Sequence, residues 1–186
     1  MYYVLDTDGR ENVLMTKEQG LNSHVELGMG ISWDVNNDGI TLPYRYQMTV
    51  ATGQTPRLYG WYPGSDLMQQ ELVDTLQSVG VDNLQLFPTE IRRADSDEEI
   101  LGYVTLNIIG RIACAAMTQS TSSPIADVSY FHHLVINPKK IQGQLMFRVH
   151  ESPMIVLVHE SIAAEIEKRK FIGVTLKKVA EAVDGI

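Results

Sequence analysis

The chain has 186 residues, of which 44% are hydrophobic and 20% are charged, so it is long enough to bury a core. Its formal net charge of -8 disfavours binding to nucleic acid or to an anionic membrane, because both depend on clustered lysines and arginines. The N-terminal residues lack the pattern of a secretory signal, and no apolar run is long enough to span a bilayer. We therefore expect a cytoplasmic protein with no nucleic-acid or membrane partner.

The first third of the chain predicts two strands separated by loops. Residues 2–5 are a short β-prone run that ends in a turn, and residues 20–43 are rich in Gly, Asn, Asp and Ser. Apolar and polar side chains alternate over residues 44–51, which predicts a second strand. Residues 52–65 hold two prolines and three glycines and are predicted to form a structured loop.

The rest of the chain predicts two helices among short strands. One helix is capped by Ser65 or Asp66 and ends at Gly80, and the other begins at His159 or Ser161 and continues to Lys170. A charged loop at residues 92–99 and a Ser/Thr-rich connection at residues 119–124 separate some of the strands. The predicted strands cover residues 83–87, 101–109, 131–136, 145–149, 155–158 and 174–179.

Strands and helices do not alternate regularly, which disfavours a doubly wound sheet. The sequence therefore predicts an α+β fold with a mostly antiparallel sheet of mixed order and about two helices. We expect one domain over residues 1–186, with an alternative division into a loop-rich part, residues 1–65, and a compact part, residues 66–186.

Residues 34–39 resemble the start of an EF-hand calcium loop, with side-chain oxygens at Asp34, Asn36 and Asp38 followed by Gly39. The glutamate that closes such a loop is replaced by Arg45, whose charge repels a cation. Asn-Asp-Gly is also a common turn sequence, since these residues tolerate left-handed backbone geometry. The turn is favoured, and the three oxygen-bearing residues remain candidate calcium ligands. No cofactor is predicted.

Cysteine and histidine give no recognisable catalytic or metal signature. The single Cys114 lies among apolar neighbours and is predicted to be a buried small hydrophobe. No two histidines have the i, i+4 spacing of metal ligands on a helix, and the serines and glycines match no nucleophile elbow or phosphate-binding loop. The five histidines are His24, His132, His133, His150 and His159.

Two segments could serve as protein-binding surfaces. The first holds Tyr59, Trp61 and Tyr62, and aromatic side chains of this kind are common interface anchors because they offer large contact area at low entropic cost. The alternative for them is a place in the core. The second is an acidic segment after a pair of arginines, which could contact a basic patch or could be a solvated turn. Its carboxylates are Asp95, Asp97, Glu98 and Glu99.

Read from end to end, the chain resembles the immunity-protein family typified by the MXAN immunity domain of bacterial polymorphic toxin systems. The resemblance rests on ordered segments over residues 83–179: NLQLFP at residues 83–88, GYVTLNI at residues 102–108, and LVINPKKI at residues 134–141 followed by LMFR. Farther on, Ser161 to Ala164 and residues 171–176 resemble the family's "Ser-x-x-Ala" and closing strand. An early Trp-containing element of the family has only a weak counterpart around Trp33.

The resemblance implies a protein that binds a cognate secreted toxin and neutralises it by stoichiometric occlusion, with no catalytic residues of its own. The acidic charge is compatible with a basic nuclease toxin, whose phosphate-binding cleft an acidic inhibitor could occupy. Two other hypotheses remain open: an enzyme with an unrecognised active site, and a calcium-linked binding module that uses residues 34–38. The sequence makes no prediction about self-association.

Overall fold

The computed structural model describes residues 1–19 and 26–182. They contain two α-helices, α1 (Gln70–Ser78) and α2 (Glu160–Arg169), and three short 3-10 helices at Leu27–Met29, Pro63–Ser65 and Pro138–Lys140. The strands in chain order are β1 (Tyr2–Thr7), β2 (Val13–Gln19), β3 (Tyr44–Val50), β4 (Trp61–Tyr62), β5 (Leu67–Gln69), β6 (Leu84–Phe87), β7 (Thr89–Arg93), β8 (Tyr103–Ile108), β9 (Arg111–Ile112), β10 (Thr121–Ile125), β11 (Val128–His133), β12 (Val135–Ile136), β13 (Met146–Val149), β14 (Ser152–His159), β15 (Val174–Lys178) and β16 (Ala180–Glu181). Most pairs are antiparallel, which confirms the predicted α+β fold.

The largest sheet has five strands in the order β15-β1-β14-β13-β9. The N-terminal strand β1 lies between β14 and β15 and is antiparallel to both, so the two ends of the chain meet in one sheet. Alternate residues of these strands face opposite sides, and both sides are buried. Leu5 and Val156 join one core cluster, whereas Tyr2 and Leu157 join another.

Both α-helices contribute to the core on the first side of this sheet. Leu72 and Leu76 of α1 are fully buried with Ile162 and Ile166 of α2. Burying an aliphatic side chain of this size contributes about 1.5–3 kcal/mol relative to exposing it. His159 caps α2, because its ring nitrogen accepts a hydrogen bond from the amide of Ser161 at 3.3 Å. Within the described residues, neither helix is long and apolar enough to cross a membrane.

Two further sheets pack against each other in the other half of the molecule. One has the order β4-β5-β8-β6 and the other the order β2-β3-β7. Their shared core includes Tyr44, Tyr46, Phe87 and Ile91, all at most 2% exposed. Strand β8 is buried over residues 104–108. The charged segment at residues 92–99 precedes it in the chain, and Arg111 follows it.

The structure differs from the sequence analysis in three places. The helix predicted from Ser65 or Asp66 begins only at Gln70, because residues 67–69 pair with β4 and β8 as β5. Residues 13–19 form β2, which the sequence did not indicate because Lys17 occupies an inward position in an otherwise alternating run. The Ser/Thr-rich connection at residues 119–124 is largely strand, since β10 pairs with β11 as a hairpin.

Candidate functional site

The acidic segment forms an exposed turn between β7 and β8. We call residues Asp95–Glu99 the acidic tip. The side chain of Asp97 is 82% exposed, and those of Asp95 and Glu98 are 63% and 62% exposed. Glu99 is also exposed and forms an isolated bridge with Arg92 of β7. The carboxylates predicted to contact a partner are thus all available to one.

Two arginines of β7 fix the shape of the acidic tip. Arg93 donates two parallel hydrogen bonds to the carboxylate of Asp95, at 2.9 and 2.7 Å, and its third nitrogen lies 3.6 Å from Glu98. Arg92 donates to the backbone carbonyl of Asp97 at 3.2 Å. The hydrogen bonds from Arg93 hold the pKa of Asp95 below its usual range, so this carboxylate stays ionised. The tip is therefore a cluster of exposed negative charge whose shape is set by contacts with Arg92 and Arg93.

An exposed apolar residue follows the acidic tip. Leu101 is 75% exposed, the largest exposed fraction among the large hydrophobic residues described. The next residue, Gly102, accepts a hydrogen bond from the amide of Gln70, which places Leu101 beside the start of α1. An apolar side chain next to fixed charge resembles the composition of protein interfaces, where apolar contacts are surrounded by polar groups.

The aromatic segment lies inside the protein. Tyr59, Trp61 and Tyr62 are only 0%, 3% and 6% exposed. Tyr59 and Tyr62 stack with ring centroids 5.7 Å apart, and Tyr103 donates a hydrogen bond to the Tyr59 carbonyl at 2.7 Å. Side chains with so little exposed area cannot contact a partner unless the core opens. This corrects the prediction of interface anchors and supports the alternative that these residues fill the core.

The Tyr59 hydroxyl joins two parts of the fold. It donates a hydrogen bond to the carboxylate of Asp8, which follows β1, and Arg57 binds the same carboxylate at 2.8 Å. Burial and this hydrogen bond raise the pKa of Tyr59 to about 12, and the same hydrogen bond lowers the pKa of Asp8. The backbone of Gly173 lies directly against the Tyr59 ring, so close that a Cβ at this position would be 2.4 Å from it.

The candidate calcium loop is a turn stabilised by its own side chains. The Asp34 carboxylate accepts hydrogen bonds from the Asn36 amide at 2.9 Å and from the Asn37 side chain at 2.5 Å. Asp38 in turn accepts from the amide of Asp34 at 2.7 Å. Across residues 1–19 and 26–182, no group of three or more His, Cys, Asp and Glu side chains is placed to hold a metal ion.

Cys114 is fully buried, as predicted, and burial raises the pKa of its thiol to about 12. Such a thiol remains protonated at neutral pH and is a poor nucleophile. Of the histidines, His132 bonds Ser123 across the β10–β11 hairpin and His159 caps α2. His24 lies outside the described residues.

A half-buried ion pair that the sequence did not reveal lies beside the β2-β3-β7 sheet. Lys17 of β2 is 3.4 Å from the carboxylate of Asp66, and its ammonium lies over the rings of Tyr44 and Tyr46. Burial raises the pKa of Asp66, although Lys17 and Arg148 oppose that shift. The side chains are only 23% and 17% exposed, so the tyrosines and the sheets enclose the pair. These contacts give the ion pair a structural role in the packing of this part of the fold.

A second charged feature lies at the far end of β8. We call the cleft lined by Arg111, Lys139 and Lys140 the basic groove; its volume is ≈ 660 Å³. Half-buried Ile112 and buried Ile141 also line it, and at 1% exposure Ile141 adds almost no accessible apolar surface. The aliphatic stem of Arg111 packs against the backbone of Gly30. A Cβ added at residue 30 would lie 2.8 Å from the Cγ of Arg111, so this packing favours glycine at residue 30. The remaining lining residues are Ala113, Gln142 and Gln144.

The charge of the chain is distributed unevenly around these two features. Residues 1–100 contain sixteen acidic and six basic residues, whereas residues 101–150 contain one acidic and four basic residues. Sequence reasoning missed the basic groove because Arg111 is distant from Lys139 and Lys140 along the chain. The sequence signal for the groove was the change from an excess of acidic residues before residue 100 to an excess of basic residues over residues 101–150.

The described surface thus offers two fixed charged features, and the aromatic residues are committed to the core. The model of the Imm11 immunity protein family matches residues 10–181, and the chain therefore belongs to this family of immunity proteins. This confirms the predicted resemblance to an immunity protein family of toxin systems. No curated protein matches the chain.

Proposed function

We propose that this Imm11 protein binds a cognate toxin domain in the cytoplasm and neutralises it by stoichiometric occlusion, without turnover. The observation that carries the proposal is the acidic tip, in which the exposed carboxylates of Asp95, Asp97 and Glu98 form ion pairs with Arg92 and Arg93. A preorganised site loses little conformational entropy when a partner binds. Family membership supports the immunity role, and the tip supplies a surface for it.

The chemistry of the tip favours a toxin with a basic surface around its active site. Fixed carboxylates can take the positions that phosphate groups occupy in a nuclease cleft, because both are anions that accept hydrogen bonds from arginine. Negative charge on the immunity protein also accelerates encounter with a basic partner. Leu101, exposed beside the tip, would add apolar contact area at the edge of the same interface.

The test uses, as the candidate partner, a toxin domain found in the gene that neighbours this one. We expect increasing immunity protein to abolish toxin activity at a one-to-one molar ratio. The double variant Glu98→Lys and Glu99→Lys should weaken binding at least tenfold at about 0.1 M salt, mainly through a slower association rate, with a smaller loss at high salt. Calorimetry and stopped-flow kinetics measure both quantities.

A matched control separates the tip from the overall charge. Asp82→Lys with Glu167→Lys makes the same change in net charge at two exposed positions outside the tip. We expect this control to alter affinity less than threefold. Equal losses in the two double variants would show that only net charge matters, and full toxin activity in excess wild-type protein would refute the proposed function.

A further inference from the structure

We infer that the hairpin of β10 and β11 inserts into a weakly charged, apolar-lined cleft of the toxin, with Ile125, Val128 and Tyr130 as its contact residues. We call residues 121–133 the exposed hairpin. This inference rests on the proposed function, from which it takes the toxin as the partner, and it names a surface that would occlude it. It does not depend on the acidic tip, because the hairpin forms a different sheet and has different chemistry.

The distal part of the exposed hairpin lies in solvent on both faces. Its two strands form a sheet of their own, and residues 121–128 are all exposed. The base of the hairpin is anchored, because the Ser129 amide donates a hydrogen bond to the Glu151 carbonyl at 2.7 Å and Phe131 packs against a core cluster. Paired strands are about 4.8 Å apart, so a projecting pair is narrow enough to enter a cleft.

One face of the exposed hairpin carries an apolar stripe. Ile125 lies directly opposite Val128, and Tyr130 lies opposite Ser123, so the three larger side chains share a face. Ile125, Val128 and Tyr130 are 56%, 37% and 58% exposed. A partner that covers this stripe removes apolar surface from water, which favours binding.

Contacts within the hairpin hold Tyr130 in place before a partner binds. Its ring meets the ring of His132 edge to face, with the centroids 5.3 Å apart. Nε2 of His132 lies 3.0 Å from the hydroxyl oxygen of Ser123, so the imidazole links the two strands beside Tyr130. A tyrosine with a fixed ring offers large contact area at low entropic cost, as interface anchors do. In contrast to Tyr59, Tyr130 is accessible in the folded protein.

The scarcity of charge around the stripe selects the chemistry of the partner surface. Residues 112–138 contain no lysine or arginine and only one carboxylate, Asp127, in a chain that is 20% charged. Exposed strands are usually protected by charged side chains, so an exposed hairpin without them is suited to burial against another surface. That surface must itself be apolar and weakly charged, because an ion buried there would lose its hydration and find no counter-ion.

Pro124, at the centre of β10, disfavours a second copy of this chain as the occupant. Within the described residues β10 pairs with β11 alone, and a second copy could add a strand to its open side. Proline has no amide hydrogen, so the open side of β10 lacks a donor at this position and is a poor template for another strand. The face that carries the apolar stripe, rather than the strand edge, is therefore the surface for a partner.

The experiment measures binding of the same toxin domain to the double variant Ile125→Ser and Tyr130→Ser. We expect the dissociation constant to rise about thirtyfold, mainly through faster dissociation, because lost apolar contacts shorten the lifetime of a complex. The loss should be similar at about 0.1 M and about 0.5 M sodium chloride, since salt screens charges and not apolar contacts. The acidic-tip variant differs on both counts, because it slows association and its loss falls at high salt.

The matched control is the double variant Leu14→Ser and Ile172→Ser. It removes two apolar side chains of comparable exposure, 65% and 53%, from β2 and from the turn after α2. We expect the control to change the dissociation constant less than twofold. Circular dichroism verifies that each variant is folded. If the hairpin double variant does not fold, Tyr130→Ala alone replaces it, with an expected loss of about tenfold.

The outcomes separate this inference from the proposed function. If the wild-type protein neutralises the toxin and the hairpin variant binds as tightly as the control, only the inference fails. If the wild-type protein does not bind the toxin, the proposed function fails, and this inference fails with it. A loss that disappears at high salt would overturn the apolar contact. Self-association in sedimentation velocity that the hairpin variant abolishes would make a second copy the occupant and would also overturn the inference.

Discussion

The aromatic segment and the acidic tip are both short, both follow or form turns, and both could serve as binding sites by composition. The structure treats them in opposite ways: Tyr59 is fully buried, whereas Asp97 is 82% exposed. Aromatic rings gain free energy wherever they leave water, and the protein's own core competes with a partner for them. Carboxylates lose hydration on burial, so they remain at the surface unless a cation accompanies them. A charged turn is therefore a better indicator of a surface site than an aromatic one.

The aromatic segment also satisfies its polar groups internally. The Tyr62 hydroxyl accepts a hydrogen bond from the Tyr59 amide at 3.0 Å, and the Tyr59 hydroxyl is bound to Asp8. A buried polar group without a partner is costly, so these bonds are needed for the rings to remain inside. The tip differs because its oxygens can exchange internal partners for water or for another protein at little cost. Three sets of substitutions test how large this difference is.

The largest effect is expected from Gly173→Ala. The new Cβ would lie 2.4 Å from the buried Tyr59 ring, and the backbone φ of +73° is unfavourable for alanine. We expect a loss of about 3 kcal/mol in the free energy of unfolding, measured by urea denaturation. Gly53→Ala is the control, because its φ of +77° is similar and nothing lies within 4 Å. If both variants lose the same amount, the aromatic segment is looser than the structure indicates.

A smaller effect is expected from the half-buried ion pair between Lys17 and Asp66. Lys17→Met leaves the Asp66 carboxylate without its closest cation, and we expect a loss of about 2 kcal/mol at neutral pH. Asp66→Asn should cost much less, since it removes the buried charge and asparagine tolerates the left-handed backbone at this position, where φ is 54°. The double variant should be closer to Asp66→Asn than to Lys17→Met.

The pH dependence of this pair has a defined sign. The pKa of Asp66 is raised in the folded protein, so its contribution to stability is fully present below its unfolded pKa of 3.8 and is lost as pH rises through the folded pKa. The stability of Asp66→Asn relative to wild type should therefore increase as pH rises from about 4 towards neutrality. A relative stability that decreases over this range would contradict the raised pKa.

The smallest effect on stability is expected at the acidic tip. Glu98→Lys with Glu99→Lys removes only a 3.6 Å surface ion pair, and exposed pairs contribute little. We expect the free energy of unfolding to change by less than about 0.5 kcal/mol, although the same variant should bind the toxin at least tenfold more weakly. A large loss of stability would show that the tip is a structural element, and its effect on binding could then be indirect.

The sequence predicted the elements whose signals are local. Alternating side chains at residues 44–51, β-formers at residues 101–109 and the cap at His159 gave strands and a helix close to those observed. The predictions were wrong where pairing partners decide. Residues 67–69 follow a helical pattern but form β5, because β4 and β8 offer them hydrogen-bond partners. The sequence did not indicate β2 because Lys17 occupies an inward position. The charge of Lys17 is balanced by Asp66, which lies 49 positions away in the chain.

The sequence by itself determined the fold class, the exposed acidic tip and the resemblance to an immunity family, because these depend on composition, local periodicity and the order of segments. Only the tertiary structure decided which candidate surface is accessible. The aromatic residues face inward because Gly173 and Asp8, distant along the chain, complete their environment. The basic groove exists because the fold brings Arg111 to Lys139 and Lys140. Such contacts depend on long-range pairing, which a local pattern does not encode.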